Sequence, residues 1–269
     1  MNCPTKVVNS IIDVEGVKVN RSSVMRRVRQ ERERFVNFVI DDVHDFPEED
    51  RLQGEYYFVD NHTMMTESGE KIEAEYFVIA TGTKPYIPPI FSKVLHQVID
   101  TEEFFNFHIL PKSICVVGTG AIGLELGQAL TRLGVRTVVL GINHLIANIT
   151  DPHILEKANE VFNSELSIYN NAEILDANII VGEDGYEKCV EVSWEQDRIM
   201  HLQKFDYVLS ATGRVPNLAS LCLEATSLSF KNKRPDFNIE TLRCYDEDNS
   251  LSNFFIAGDV TGERMILHE

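Results

Sequence analysis

The order of apolar and polar positions predicts an α/β fold around residues 113–140. The apolar run at residues 114–117 leads into Gly118-x-Gly120-x-x-Gly123, and apolar residues then recur at helical spacing up to residue 133. Gly134 stands where a helix usually ends, and a second apolar run follows at residues 135–140. This order of strand, glycines, helix and strand is typical of a βαβ unit.

Further periodic segments predict more helices and strands. We expect a long helix from a cap at Ser22 or Ser23 to about Phe46, and another from Pro152 to about Ser164. The long helix has an apolar stripe, formed by Val24, Val28, Phe35, Val39, Val43 and Phe46. Its arginines suit either phosphate binding or a solvated face with nearby ion pairs, and the second interpretation is favoured. Strands are expected at residues 55–60, 62–66, 71–80, 172–181, 189–194, 205–210 and 253–257.

The glycine-rich turn has the pattern of a dinucleotide-binding site. Gly118 permits the tight turn, Gly120 allows the backbone to approach a pyrophosphate, and Gly123 allows the helix to pack closely on the strand. The first helical residues, Ala121 and Ile122, present backbone N–H groups and the positive end of the helix dipole to phosphates. A structural turn without a ligand is the alternative interpretation.

The choice between NAD and NADP stays open. An acidic residue at the end of the second strand would bind the ribose hydroxyls of NAD, and an arginine would bind the extra phosphate of NADP. This chain has Gly141, Ile142, Asn143 and His144 there, with neither an acid nor an arginine. His144 suits either a phosphate contact or a solvated loop position, and the loop position is favoured.

Composition narrows the class of protein. The 269 residues suffice for one large or two ordinary domains, and the net charge of −17 argues against a nucleic-acid partner. Backbone amides can still bind anionic cofactors. The chain has no apolar run of about 18 residues, no signal-peptide pattern and no metal-ligand spacing. The five scattered cysteines favour a reducing cytoplasm, with most thiols acting as small buried apolar groups.

Four motifs occur in a fixed order along the chain. They are Ala80-Thr81-Gly82, Gly118-x-Gly120-x-x-Gly123, Ala211-Thr212-Gly213-Arg214-x-Pro216-Asn217 and Ala257-Gly258-Asp259. In order and spacing the chain resembles the pyridine nucleotide–disulfide oxidoreductases, and among them the dihydrolipoamide dehydrogenase-like members.

The resemblance implies two dinucleotide-binding domains, each a Rossmann-like three-layer ββα structure. An NAD(P)-binding domain at residues 90–216 would be inserted into an incomplete FAD-binding domain at residues 1–89 and 217–269. The resemblance also implies roles for single residues. Thr81, Gly82 and Gly258 would lie near FAD, Asp259 would bind its ribityl chain, and Gly213 would lie near the path of the nicotinamide nucleotide.

Catalytic residues follow only from the resemblance. Glu125 matches a glutamate that lies close to the flavin and pairs with a lysine, for which Lys6 is the candidate. The alternative for Glu125 is an acid in the first turn of a helix, which the helix dipole favours. Only one cysteine of the family's redox pair has a counterpart in this chain. It is Cys3, in Cys3-Pro4-Thr5-Lys6.

Departures from the family pattern limit the expected chemistry. No Gly-x-Gly-x-x-Gly precedes residue 80, and Glu269 ends the chain about where a dimerisation domain should begin, so we expect a chain truncated at both ends. Hydride transfer between nicotinamide and flavin is then expected, and disulfide turnover is doubtful. The alternatives are a non-catalytic NAD(P)-binding fragment, or half of a split flavoenzyme that assembles with another chain. A homodimer is also open.

Overall fold

The computed structural model describes residues 19–181 and 188–262. The α-helices of these ranges are α1 Arg21–His44, α2 Thr101–Phe104, α3 Ala121–Arg132 and α4 Pro152–Asn163. The strands begin with β1 Tyr57–Phe58, β2 Thr63–Met65, β3 Lys71–Glu73, β4 Phe77–Ile79, β5 Thr83–Pro85, β6 Val98–Ile99, β7 Ser113–Val117, β8 Arg136–Leu140 and β9 Ser167–Tyr169. They continue with β10 Glu173–Val181, β11 Lys188–Gln196, β12 Ile199–Phe205, β13 Tyr207–Ser210, β14 Arg214–Pro216, β15 Phe230–Lys231, β16 Arg234–Pro235, β17 Arg243–Tyr245 and β18 Leu251–Ile256.

The described residues divide into two compact units. Unit 1 contains the described residues up to Ile40 together with Ile87–Thr212, and unit 2 contains Asp41–Tyr86 together with the described residues from Gly213. In each unit, segments that are distant in sequence come together. The domain boundaries expected at 89/90 and 216/217 stay a prediction.

Unit 1 has three layers around a five-stranded parallel sheet, with strand order β6-β13-β7-β8-β9. Ile114 and Val116 pack with helical side chains such as Leu130 on one face of this sheet. Cys115 and Val117 pack on the other face with residues of the antiparallel sheet β10-β11-β12. Alternate residues of a strand point to opposite faces, so the fully apolar sequence of β7 reflects burial on both sides. The predicted α/β class is confirmed.

Unit 2 is built from small sheets around an aromatic core. Phe58, Phe77 and Phe254 pack with ring centroids 4.9 to 5.5 Å apart. The sheet β17-β18-β4 contains the parallel pair β18 and β4, and β1-β2-β3 is an antiparallel meander. The run predicted as one strand at 71–80 is two strands, because the chain bends at Glu75 between β3 and β4.

The long helix differs from its prediction in its cap and in its packing. Asn20 is the cap residue instead of Ser22 or Ser23, and its side-chain oxygen accepts from Ser23 N at 2.9 Å. Met25 is the one buried residue of α1. No helix within the described ranges is both long enough and apolar enough to span a bilayer.

Candidate functional site

The glycine-rich turn of unit 1 joins the carboxyl end of β7 to α3. Gly118 has φ +118°, a conformation that side chains rarely adopt, and a Cβ there would lie 2.2 Å from Ala211 O. A Cβ on Gly123 would lie 2.0 Å from Gly118 O. Two of the three glycines are therefore required by the backbone packing itself.

Gly120 has different surroundings from the other two glycines. It is the N-cap of α3 with φ −72° and ψ 178°, which any residue can adopt, and a Cβ there would meet nothing within 4 Å. Ala121 and Ile122 are exposed, and the first i→i−4 hydrogen bond of the helix runs from Leu124 N to Gly120 O at 3.0 Å. The N–H groups of residues 121–123 precede this bond, so the open space over Gly120 adjoins a helix N-terminus, the kind of position at which proteins bind anions.

The segment after β8 is fixed against the same turn. Thr119 is buried and its hydroxyl donates to Leu145 O at 2.8 Å, while Ala147 N donates to Thr119 O at 2.8 Å. A Cβ on Gly141 would lie 2.5 Å from Thr119 Oγ1, so only glycine fits directly after β8. His144 is exposed with φ +60°, and its N–H donates to Asn170 O at 2.7 Å. Residues 141–144 provide neither a carboxylate nor an arginine.

In unit 2 the carboxyl ends of β4 and β18 lie side by side. Ala257 N donates to Ile79 O at 3.0 Å, and both strands continue into glycines with positive φ, +64° at Gly82 and +73° at Gly258. The Thr81 hydroxyl donates to Asn217 O at 2.7 Å. Two motifs that are far apart in the sequence therefore follow adjacent strand ends. They contain the predicted site residues Thr81, Gly82, Gly258 and Asp259.

A series of hydrogen bonds in unit 2 passes through Thr83, a residue that the sequence did not predict as part of a site. Thr83 is buried, and its hydroxyl accepts from Arg214 Nε at 2.7 Å and donates to Asp259 Oδ2 at 3.4 Å. Arg214 also donates to Thr83 O at 2.8 Å. Thr83, directly after the first motif, thereby contacts a half-buried carboxylate and connects Arg214 of the third motif with Asp259 of the fourth. A usable signal was its position directly after Ala80-Thr81-Gly82.

Gly213 and Glu125 lie in separate parts of the described chain. Gly213 has φ +111°, is exposed, and its carbonyl accepts from Tyr86 N at 3.0 Å within unit 2. Glu125 is exposed in unit 1 and is the fifth residue of α3, whose first turn contains no acidic residue. The interpretation of Glu125 as a first-turn acid is therefore wrong. Lys6 and Cys3 lie outside the described residues.

The described cysteines are of two kinds. Cys115 and Cys244 are buried, whereas Cys189 and Cys222 are partly exposed. Burial raises the pKa of the Cys115 thiol far above its ordinary value. Burial, with smaller contributions from Asp246 and Asp236, raises the pKa of Cys244 to about 12. Neither buried thiol supplies a thiolate at neutral pH, so both act as packing groups.

Comparisons with known proteins place these motifs in a family context. The family described as "Pyridine nucleotide-disulphide oxidoreductase" matches residues 7–269. The chain is 28% identical over 232 residues to a dihydrolipoyl dehydrogenase of Geobacillus stearothermophilus, covering 81% of this chain and 45% of that protein. It is 30% identical over 213 residues to a mercuric reductase of Lysinibacillus sphaericus, covering 79% of this chain and 37% of that protein. The chain thus spans less than half the length of these relatives.

A solved structure has a similar fold. The HOCl-induced flavoprotein disulfide reductase RclA from Escherichia coli superposes with a TM-score of 0.72 at 24% identity, covering 89% of this chain and 53% of that chain. At this identity the likeness concerns the fold alone.

Proposed function

Because the chain belongs to the pyridine nucleotide-disulphide oxidoreductase family, we propose that it is an FAD- and NAD(P)-dependent oxidoreductase of the dihydrolipoamide dehydrogenase-like type. Its reaction would be hydride transfer between nicotinamide and flavin. The two cofactors supply this chemistry when they are bound. The residues of the chain bind and orient the cofactors. Disulfide turnover is outside the proposal, since Cys3 is the one counterpart of the family's redox pair.

The nicotinamide nucleotide would bind at the turn Gly118–Gly123 of unit 1. The observation that carries this proposal is the contrast among the glycines, since Gly118 and Gly123 are required by packing whereas Gly120 faces open space. A glycine kept where the protein itself leaves room is expected when a ligand takes that room. The N–H groups of Ala121 and Ile122 would donate to the pyrophosphate.

FAD would bind at the strand ends of unit 2. Thr81, Gly82 and Gly258 would lie along the dinucleotide, where glycines with positive φ allow close approach of the backbone. The Asp259 carboxylate would accept from a ribityl hydroxyl, in an orientation that Thr83 fixes. Gly213 would lie near the nicotinamide path. Glu125, paired with Lys6, would act next to the flavin. The cytoplasmic location of the protein stays a prediction.

The test is nucleotide binding by the Gly120→Ala variant. Its Cβ meets nothing in the protein and its backbone angles are ordinary, so the variant is expected to fold like the wild type. Crowding of the pyrophosphate should raise the Kd for NADH, measured by calorimetry, by at least about tenfold, or about 1.4 kcal/mol. The absorption spectrum after FAD addition shows separately whether unit 2 holds a flavin.

Gly134→Ala is the matched control. Gly134 ends α3 with φ +79°, so alanine there strains the backbone while the glycine-rich turn is unchanged. Its stability should fall and its Kd for NADH should stay the same. Unchanged affinity in Gly120→Ala would mean that the nucleotide does not use this turn. NADH binding by a protein that stays colourless with FAD would favour the non-catalytic NAD(P)-binding fragment.

A further inference from the structure

Unit 1 contains a cavity at the amino ends of its parallel strands, away from the glycine-rich turn. Its volume is about 690 Å³, and its lining residues all belong to unit 1. The lining includes Lys112, directly before β7, and Tyr207, the first residue of β13. The glycine-rich turn follows β7 at the opposite end, and the five residues of this strand separate the two positions by about 17 Å. The cavity is therefore distinct from the turn, and its volume lies in the range of small-molecule sites.

Hydrogen bonds between distant segments hold the walls of the cavity. Gln97 Nε2 donates to Lys188 O and to Asp206 O, both at 3.1 Å, and so joins the beginning of β11 to the residue before β13. The guanidinium of Arg21 donates to Leu110 O, and Leu110 N donates to Arg21 O at 3.4 Å. These bonds form the cavity without a ligand, as is usual for sites that bind small molecules.

Part of the lining is aromatic. Phe107 and Tyr207 both line the cavity, with ring centroids 4.9 Å apart and planes inclined by 57°. Ile109 lines it too and has 55% of its surface exposed, so a further apolar side chain is accessible beside the rings. This part of the lining suits a ligand with an aromatic body, because aromatic rings pack well in edge-on or offset arrangements.

The charged groups of the lining favour an anion. Arg21, Lys112 and Lys188 contribute three positive charges, against the carboxylates of Glu103 and Asp206. Both carboxylates accept from the backbone, Glu103 from the N-cap residue of α2 at 3.2 Å and Asp206 from Lys112 N at 2.6 Å. The chain as a whole has 42 acidic and 25 basic residues, so a lining with more cations than acids differs from the rest of the molecule. An anion gains charge-assisted hydrogen bonds from these cations.

We propose that this cavity binds an organic anion that has an aromatic body and one anionic group. The body lies against Phe107 and Tyr207, and the anionic group lies toward Arg21 and Lys188. Arg21 suits this role, because its bond to Leu110 uses one of the five N–H donors of the guanidinium and fixes its position. The site goes beyond the proposed nucleotide binding and does not depend on it.

The test is a fluorescence titration of the full chain with two probes. Anilinonaphthalene sulfonate has an aromatic body and one anionic group, whereas N-phenylnaphthylamine has the same rings without the charge. One molecule of the sulfonate should bind per chain, at least about tenfold more tightly than the neutral probe, because only the sulfonate meets the cations. Saturating NADH should not displace it, since the glycine-rich turn lies at the other end of β7.

Substitutions in the lining separate the charge from the apolar contact. Lys188→Glu should raise the Kd of the sulfonate at least about tenfold and leave the Kd of the neutral probe unchanged, because it reverses one charge at an exposed position. Lys188→Gln, which only removes the charge, should give an intermediate Kd. Ile109→Ser should weaken both probes by the same factor, since it removes apolar contact and no charge.

Lys157→Glu is the matched control. Lys157 is exposed on α4 and is not among the lining residues, so its reversal changes the net charge equally and leaves the cavity as it is. Both probes should bind this variant as they bind the wild type.

Three results would overturn the proposal. Equal affinity for the two probes would show that the cations of the lining do not contribute to binding. An unchanged Kd of the sulfonate in Lys188→Glu would mean that the probe binds elsewhere, and displacement by NADH would mean that it binds at the glycine-rich turn. Circular dichroism of each variant checks that the fold is intact. The sulfonate titration needs no NADH, and the NADH titration needs no probe, so failure here and failure of the proposed function are distinguishable.

Discussion

Gly123→Ala tests whether the approach of α3 to the glycine-rich turn is as close as the structure has it. The added Cβ would lie 2.0 Å from Gly118 O and 3.3 Å from the Ala211 Cβ. Non-bonded carbon and oxygen atoms need more than 3 Å, so α3 would have to withdraw by about 1 Å. The obstacle is a backbone carbonyl, which cannot rotate away as a side chain can.

The cost of this withdrawal is estimated from overpacked cores. Such substitutions cost about 1–3 kcal/mol, and a rigid backbone obstacle places Gly123→Ala near the upper end. At about 2–4 °C per kcal/mol for a unit of this size, Tm should fall by about 6–12 °C. Trp194 is the chain's single tryptophan, is fully buried and belongs to unit 1. Its fluorescence therefore follows the unfolding of the unit that contains the substitution.

Gly127→Ala is the control on the same helix. Its Cβ would lie 2.9 Å from the Val139 Cγ2 atom, a milder conflict than the 2.0 Å approach to a backbone carbonyl at Gly123, and alanine inside a helix gains up to about 1 kcal/mol over glycine. The two effects oppose each other, so its stability should stay within about 1 kcal/mol of wild type. A Gly123→Ala protein as stable as the Gly127→Ala protein would refute the close approach of α3 to Gly118.

Two further predictions concern polar contacts. Thr83→Val leaves two charged groups without the buried hydroxyl that connects them, so stability should fall by about 1–3 kcal/mol in chemical denaturation; an unchanged midpoint would contradict the connection. Glu165 receives hydrogen bonds from Arg132, which lower the pKa of its carboxyl. Glu165→Gln should therefore cost about 0.5 kcal/mol near neutral pH, because the pair is partly exposed. The difference from wild type should shrink as the pH falls below the ordinary carboxyl pKa and vanish as it passes through the lowered one; a difference that stays constant as the pH falls would exclude the ion pair.

The glycine-rich turn was predictable because its constraints are local. Gly118 has φ +118°, Gly123 is required by the carbonyl of Gly118 five residues before it, and Gly134 follows α3 with φ +79°, as expected of a C-terminal glycine. Helix α4 begins at Pro152, as predicted, after Asp151, whose carboxylate accepts from His153 N at 3.0 Å. Both signals, a proline at the first position and an acidic cap, lie within four residues.

Strand β12 was missed because its hairpin lacks the usual turn residues. The connection from β11 to β12 is Asp197-Arg198, and both residues have positive φ, +54° and +64°. Two-residue hairpins of this geometry favour asparagine and glycine, so Asp-Arg gives no sequence signal. The pairing is fixed instead by packing, since Trp194 lies opposite His201 with ring centroids 5.1 Å apart and nearly parallel planes. Tertiary contacts here override a weak local preference.

The hydrogen bonds that join Arg214, Thr83 and Asp259 could not be predicted from the separate motifs. Thr83 is 131 residues from Arg214 and 176 from Asp259, so no spacing rule relates the three. Each motif was recognised by its own glycine or strand ending, yet none of them includes the Thr83 hydroxyl, which donates to the Asp259 carboxylate. A substitution at Thr83 would leave all four motifs intact and still remove a contact of the Asp259 carboxylate. Motif matching therefore predicts which strand ends are candidates for a site, whereas the contacts among the side chains beside them follow only from the folded structure.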